Sequence, residues 1–204
     1  EEVLALDADL VLTVEYARPQ TTDILRRLGR TVVVVPLATD FDQIRHSVRT
    51  IAAAVGEPER GDALLARFDA TLARVATTSA ATATAPQPTA VAIQVGNLVS
   101  GPNSLLDHAL AAAGLRNAAA TRRLGPGGRL PLEVLVADPP ALLVLANDPA
   151  EFRSAAADNL RHPAFQALVA RLPNITLALP TWICGTPAIA DAVARLAAAR
   201  ADLA

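Results

Sequence analysis

The chain has 204 residues, of which 52% are hydrophobic and 19% are charged, and its formal net charge is -2. This balance is typical of a folded globular protein and argues against global disorder, while the near-neutral charge gives no reason to expect a nucleic-acid partner. No apolar run approaches the ~20 residues that a membrane-spanning helix needs. Cys184 is the only cysteine, so an intramolecular disulfide and a multi-cysteine metal site are both excluded.

The first third of the chain alternates helical and strand patterns. The predicted elements are a helix over 1–6, a strand over 9–14, a helix over 20–28, a strand over 31–35, a helix that ends at about residue 55 and a long helix over 58–78. The predicted cap of the helix that ends at about residue 55 is Asp40 or Asp42. The run Thr-Val-Val-Val-Val at 31–35 is typical of a strand buried on both faces of a parallel sheet. Pro58 suits the first turn of the long helix because the N–H that it lacks would have no partner there.

A second set of alternating patterns follows a small, polar stretch that ends at Pro88. Its predicted elements are strands over 90–95, 141–146 and 175–179, helices over 105–113, 163–171 and 187–201, and a loop rich in Gly and Arg over 121–131. Strands that alternate with helices predict parallel sheets built from βα units. We therefore expect an α/β fold with two Rossmann-like lobes: a partial N-terminal lobe over 1–57, a bridging helix over 58–80 and a C-terminal lobe over 81–204. The first lobe has only two predicted strands, so we expect it to be incomplete, with strands missing ahead of Glu1.

A related pattern occurs at 2–12 and again at 133–143. Each copy has a short amphipathic segment, an acidic turn and an apolar run that ends at a polar loop. Two copies at this distance indicate two lobes of similar build rather than a solenoid. Lobes of this kind commonly hold a small molecule in the cleft between them.

Ligands of parallel α/β sheets lie beyond the carboxyl ends of the strands, which selects five loops of this chain. Tyr16 and Trp182 are the only Tyr and the only Trp, and both fall in these loops. An aromatic ring can stack on a planar ligand, and a Tyr oxygen can also bind ferric iron. The alternative is structural, with Trp182 packed over the sheet edge and Tyr16 capping the core.

Arginines supply the positive charge near these loops, and the chain contains no lysine. A guanidinium group suits bidentate binding of a carboxylate or phosphate. The loop arginines are Arg18, Arg122, Arg123 and Arg129, and an ordinary surface role remains the alternative for each. The residues that we select as ligand contacts are Tyr16, Arg18, Asn97, Arg123 and Trp182.

The case for an enzyme is weak. His46, His108 and His162 lie far apart in sequence and lack the spacing of a zinc helix motif. The nucleophile motif Gly-x-Ser-x-Gly is absent, and Cys184 is expected to be a packed thiol because no base is clearly placed near it. We predict no catalytic residue, no metal site and no cofactor of the protein's own. Two alternatives stay open: a doubly wound, cofactor-dependent reductase, and a receptor for a bare metal ion.

The chain resembles the class III periplasmic substrate-binding proteins of ABC transporters, which take up cobalamin, ferric siderophores or haem. The resemblance covers nearly the whole chain and rests on the order of several segments rather than on one motif. These segments are residues 1–12, LGRTVV at 28–33, IAAAVGE at 51–57, SLL at 104–106, AAGLRN at 112–117, residues 133–143 and WICGTP at 182–187. Family members normally carry a further segment ahead of the position of Glu1.

The resemblance implies two α/β lobes that a long helix joins, with a metal chelate bound in the cleft and little hinge bending. It also implies partners, an ABC permease and its ATPase, and a periplasmic or lipid-anchored extracytoplasmic location, although no signal peptide is present in this sequence. A surface Glu of each lobe would dock onto Arg residues of the permease. Glu1 or Glu2 has this position in the first lobe and Glu133 in the second, and ordinary solvated helix residues are the alternative.

Overall fold

The structure is a computed structural model that describes residues 2–81, 87–122, 124, 128–146 and 158–203. The chain divides into two compact units, Glu1–Arg67 (unit 1) and Phe68–Ala204 (unit 2). One helix of 24 residues, Pro58–Ala81, contains the boundary between them. Within the described part of the chain, no helix combines the length and the apolar character needed to cross a membrane.

Unit 1 contains a two-stranded parallel sheet. Its elements are α1 (Glu2–Ala5), β1 (Leu10–Val14), α2 (Pro19–Arg27), β2 (Thr31–Val35), α3 (Phe41–Ala54) and the first part of α4 (Pro58–Ala81). Leu10 lies opposite Thr31, and the register continues to Val14 opposite Val35. Every residue of both strands is half-buried or exposed. The prediction that 31–35 is buried on both faces is therefore wrong for this unit, because both faces of β2 carry side chains that the rest of the unit leaves partly uncovered.

Helix α3 has buried side chains and approaches α4 closely at one point. The side chain of Asp40 caps α3 by accepting a hydrogen bond from Gln43 N at 2.8 Å. Ile44 of α3 is fully buried. A Cβ on Gly61 of α4 would lie 2.6 Å from the Cβ of Ala52 in α3, so the close approach of these two helices requires glycine at this position.

Unit 2 contains a four-stranded parallel sheet in the order β4-β3-β5-β6. Its elements are the end of α4, β3 (Thr89–Ile93), a 3-10 turn (Val95–Asn97), α5 (Leu105–Ala112), β4 (Arg116–Asn117), α6 (Ala118–Thr121), α7 (Leu132–Ala137), β5 (Leu142–Leu145), α8 (Asp158–Arg161), α9 (Pro163–Arg171), β6 (Asn174–Thr176), α10 (Pro180–Ile183) and α11 (Ile189–Ala201). All four residues of β5 are buried, as expected for a strand between two parallel neighbours.

Helices cover both faces of this sheet. Val91, Ile93, Leu143 and Leu145 share one face and belong to a core cluster with Leu135 of α7 and with Phe165 and Leu168 of α9. On the alternate face of these strands, Ala90, Ala92, Leu142 and Val144 are also buried, and helices α5, α10 and α11 contact one another. The prediction of an α/β fold with parallel sheets is confirmed.

Candidate ligand-binding site

A pocket of about 600 Å³ opens in unit 2 where the polypeptide leaves the carboxyl end of β3. This is the edge of a parallel sheet at which ligands bind in α/β proteins. Ten residues line the pocket: Gly96, Asn97, Arg129, Leu130, Pro131, Leu132, Glu133, Asp158, Asn159 and His162. They come from three stretches of the chain, and two of them, Asn97 and Glu133, are site residues predicted from the sequence.

Asn159 fixes the wall of the pocket by binding the turn after β3 at three points. Its Oδ1 accepts a hydrogen bond from Gly96 N at 3.0 Å. Its Nδ2 donates to Gln94 O at 3.3 Å and to Asn97 Oδ1 at 2.7 Å. Asn97 also has a positive φ of 59°, a conformation that Asn tolerates better than most residues. The two N–H donors of the Asn97 side chain have no hydrogen-bond partner in the part of the chain that the structure describes.

Arg129 lies on a separate segment beside this turn, and backbone pairing holds the segment there. Leu130 N donates to Asn97 O at 2.9 Å, and Val99 N donates to Gly128 O at 2.9 Å, so residues 128–130 run antiparallel to 97–99. The Nη1 of Arg129 donates to Gly96 O. A Cβ on Gly96 would lie 2.7 Å from this Nη1, and φ at Gly96 is +70°. Glycine at 96 therefore permits both the turn and the position of the guanidinium group.

The other charged groups of the pocket are two carboxylates and one imidazole. Asp158 forms an ion pair with Arg161 of the same helical turn. Glu133 lies in the first turn of α7 and is exposed, and the ion pairs among the described residues do not include it. His162 caps α9, with Nδ1 accepting a hydrogen bond from Ala164 N at 3.2 Å. Since the backbone N–H is the donor, the neutral ring carries its proton on Nε2.

A second candidate surface lies in unit 1 beyond the carboxyl ends of β1 and β2. Tyr16 follows β1 and is 73% exposed, and no described residue hydrogen-bonds its hydroxyl. The apolar side chains of Val14 and Leu37, at the ends of the two strands, are 51% and 38% exposed. Arg18 is exposed at the N-cap of α2, where its side chain makes no capping bond. The surface thus combines an aromatic hydroxyl, apolar side chains and a guanidinium group.

Trp182 does not have the environment that the sequence suggested for a ligand contact. It lies in α10 rather than in a loop, it is 1% exposed, and its Nε1 donates to Leu177 O at 3.4 Å. An indole ring that is covered on both faces cannot stack on a ligand without repacking, so we correct the prediction and assign Trp182 to the core of unit 2. Cys184 is also corrected, because this thiol is exposed at the end of α10 rather than packed.

Three other predicted residues cannot be placed by their side chains. Arg123 and Glu1 lie outside the described residues, and Glu2 is described only as the first residue of α1. Arg122 has a structural role. Its guanidinium donates to Ala118 O at 2.9 Å and to Asp138 O and Oδ2, both at 2.6 Å, which ties the end of α6 to the end of α7. The described residues contain no group of three His, Cys, Asp or Glu side chains that could hold a metal ion.

The pocket residues Asn159, His162 and Arg129 were not selected from the sequence. Asn159 follows a polar stretch that carries no motif, and His162 was considered only as part of a zinc pattern. Arg129 was noted among the loop arginines but was not selected over Arg123. Two sequence features could have indicated Arg129: Gly96 directly after a strand, and the later Gly-rich loop. Both features predict a close approach of two backbone segments.

A family model described as periplasmic binding protein matches residues 1–171. The chain belongs to this family. It is therefore a substrate-binding protein, as the sequence predicted, and nothing in the comparisons supports the alternative of a reductase. Proteins of this family are binding proteins that act outside the cytoplasm with the permeases of ABC transporters.

Solved structures with the same fold include three haem-binding proteins. The chain is similar to the periplasmic haem-binding protein RhuT from Roseiflexus sp. RS-1 in apo form, with 25% identity and a TM-score of 0.78 over 97% of this chain and 79% of that chain. It is similar to the periplasmic haem-binding protein BhuT in complex with two haems, with 26% identity and a TM-score of 0.78 over 98% and 78% of the two chains. A periplasmic haem-binding protein from Pseudomonas aeruginosa has 26% identity and a TM-score of 0.77 over 97% and 73%. No curated protein matches the chain significantly.

Proposed function

We propose that this protein captures ferric haem and delivers it to the permease of an ABC importer. The broader class is a metal chelate, namely haem, cobalamin or a ferric siderophore. Haem is the first choice because the three haem-binding structures have 25% and 26% identity to this chain. A cobalamin-binding structure from Vibrio cholerae has 15% identity and supports the fold alone.

The observation that carries this proposal is the surface around Tyr16. Haem offers a ferric ion, two broad apolar faces and two carboxylates. A phenolate oxygen is an established axial ligand of haem iron, and the Tyr16 hydroxyl is exposed without a described partner. Val14 and Leu37 supply apolar contacts beside it, and Arg18 supplies a guanidinium group for a carboxylate. A hydroxyl, an apolar patch and a cation match the three parts of the ligand.

We propose that the pocket of unit 2 also takes part in ligand binding, through Asn97, whose side-chain N–H donors have no described partner and suit polar groups of a ligand. We retain Arg123 as a proposed contact from the sequence. Trp182 is not retained. The protein releases its cargo unchanged, so no catalytic residue and no cofactor of its own are needed.

Delivery requires docking onto the permease. We propose that Glu133 on unit 2 and Glu1 or Glu2 on unit 1 pair with permease arginines, while the ATPase drives transport from the other side of the membrane. Glu133 suits this role because it is exposed in the first turn of α7 and has no ion pair among the described residues. The protein itself would be periplasmic or lipid-anchored.

The experiment is a titration of the chain with haemin, cobalamin and a ferric hydroxamate, followed by visible absorbance. Haemin should bind and develop the charge-transfer band of a phenolate bound to ferric iron. Tyr16→Phe should lose this band and bind haemin more weakly. Arg18→Ala should weaken binding, whereas Arg27→Ala, an exposed arginine at the far end of the same helix, should not. Binding of another chelate in place of haemin would change the cargo, and binding of none would refute the proposed function.

A further inference from the structure

The pocket of unit 2 contains a guanidinium group, that of Arg129, which is hydrogen-bonded to the backbone and has further N–H donors without a described partner. Arg129 has five N–H donors, and its acceptor among the described residues is Gly96 O. The backbone of residue 129 is fixed by its antiparallel pairing with Leu98. A long side chain that is already oriented loses less conformational entropy when it binds a ligand. Arg129 is therefore prepared to bind an acceptor that enters the pocket.

A second donor lines the same pocket. His162 uses Nδ1 as the acceptor of the Ala164 N–H, and its Nε2–H has no hydrogen-bond partner among the described residues. The imidazole is exposed and belongs to the pocket lining. Its ring orientation is set by the capping bond at the start of α9. Arg129 and His162 together present donors of a kind that suits a carboxylate.

The carboxylates of the pocket do not cancel these donors. Asp158 is paired with Arg161. Glu133 is exposed on the first turn of α7, with no ion pair to Arg129 among the described residues. The positive charge of Arg129 is thus compensated by no described contact and is available to an anionic group of a ligand.

We propose that this pocket is a carboxylate subsite in which Arg129 forms the bidentate contact and His162 donates a second hydrogen bond. The inference rests on the proposed function, since it names the part of the chelate that unit 2 recognises. It makes the protein selective for chelates that carry a free carboxylate, such as haem or a ferric carboxylate complex, over neutral chelates of the same size. Haem and ferric carboxylate complexes both offer a free carboxylate, and the experiment below distinguishes between them.

The test measures dissociation constants of the full chain for haemin, for haemin dimethyl ester and for ferric citrate. A bidentate, charge-assisted contact corresponds to a change of about 10- to 100-fold in affinity. The wild type should prefer haemin over its ester by this factor. Arg129→Ala should lose the part of this preference that Arg129 supplies and keep the part that Arg18 supplies. Arg129→Lys should recover only part of the loss because lysine lacks the planar fork. His162→Asn keeps a capping residue at α9 and should lose a smaller part of the preference.

The matched control is Arg171→Ala, which removes an exposed arginine from the last turn of α9, outside the pocket lining. Far-UV circular dichroism of each variant checks that the fold is kept. The inference is overturned if Arg129→Ala keeps the wild-type preference for haemin over its ester, and the haem function then still stands. If the wild type binds ferric citrate through Arg129 but does not bind haemin, the subsite stands and the proposed cargo is wrong. If the wild type binds none of these carboxylate chelates, the subsite is refuted.

Discussion

Replacing Trp182 separates its two possible roles, packing in the core and contact with a ligand. The ring is 1% exposed, so Trp182→Ala removes nearly its whole buried surface from unit 2. Truncation of a buried Trp to Ala costs about 3–5 kcal/mol, and the lost bond to Leu177 O is part of that cost. This is a large share of the roughly 5–15 kcal/mol by which a protein of this size is stable.

The assay is urea unfolding followed by far-UV circular dichroism, because the variant lacks the only Trp. With a slope of about 2 kcal/mol per molar urea, a loss of 4 kcal/mol lowers the midpoint by about 2 M. Trp182→Phe, the matched variant, keeps an aromatic ring but loses the bond from Nε1 to Leu177 O, so it should cost only about 1–2 kcal/mol. If Trp182→Ala unfolds at the wild-type urea concentration but loses haemin affinity, our assignment of Trp182 to the core is refuted.

Three further predictions concern the pocket and its support. Gly96→Ala should weaken haemin binding because the new Cβ displaces the guanidinium of Arg129, whereas Gly29→Ala has a similar positive φ and open space around it and should leave affinity unchanged in the same titration. Glu133→Gln should reduce haem uptake by cells that express the importer but should not lower the affinity of the purified protein for haemin, and a parallel loss of affinity would contradict the docking role. Arg122→Ala should lower stability by about 1–2 kcal/mol in urea unfolding, because it breaks the contacts with Asp138, and equal midpoints for variant and wild type would speak against that support.

Strong local patterns made most elements predictable. The β-branched run of 31–35 is β2, Thr31–Val35, and Asp40, one of the two candidate caps of α3, is the residue that caps it. The short elements β4, α6 and α10 were missed because two to four residues carry no measurable period. The residues of α10 were predicted to lie in a loop. Pro180, which suits the first position of a helix, indicates a helix there.

The candidate site was only partly predictable for a different reason. The rule that ligands bind beyond the carboxyl ends of parallel strands led to Tyr16, Arg18 and Asn97, because applying it requires only the positions of the strands along the sequence. Burial depends on distant packing, so the sequence could not show that Trp182 is covered. The Arg129–Gly96 contact joins residues 33 positions apart through a hairpin-like pairing, which no local pattern reveals.

The most direct test of the account is a crystal structure of the chain loaded with haemin. We expect the haemin iron to be bound to the hydroxyl oxygen of Tyr16. A haemin molecule whose iron does not contact Tyr16 would contradict the account, whatever its affinity.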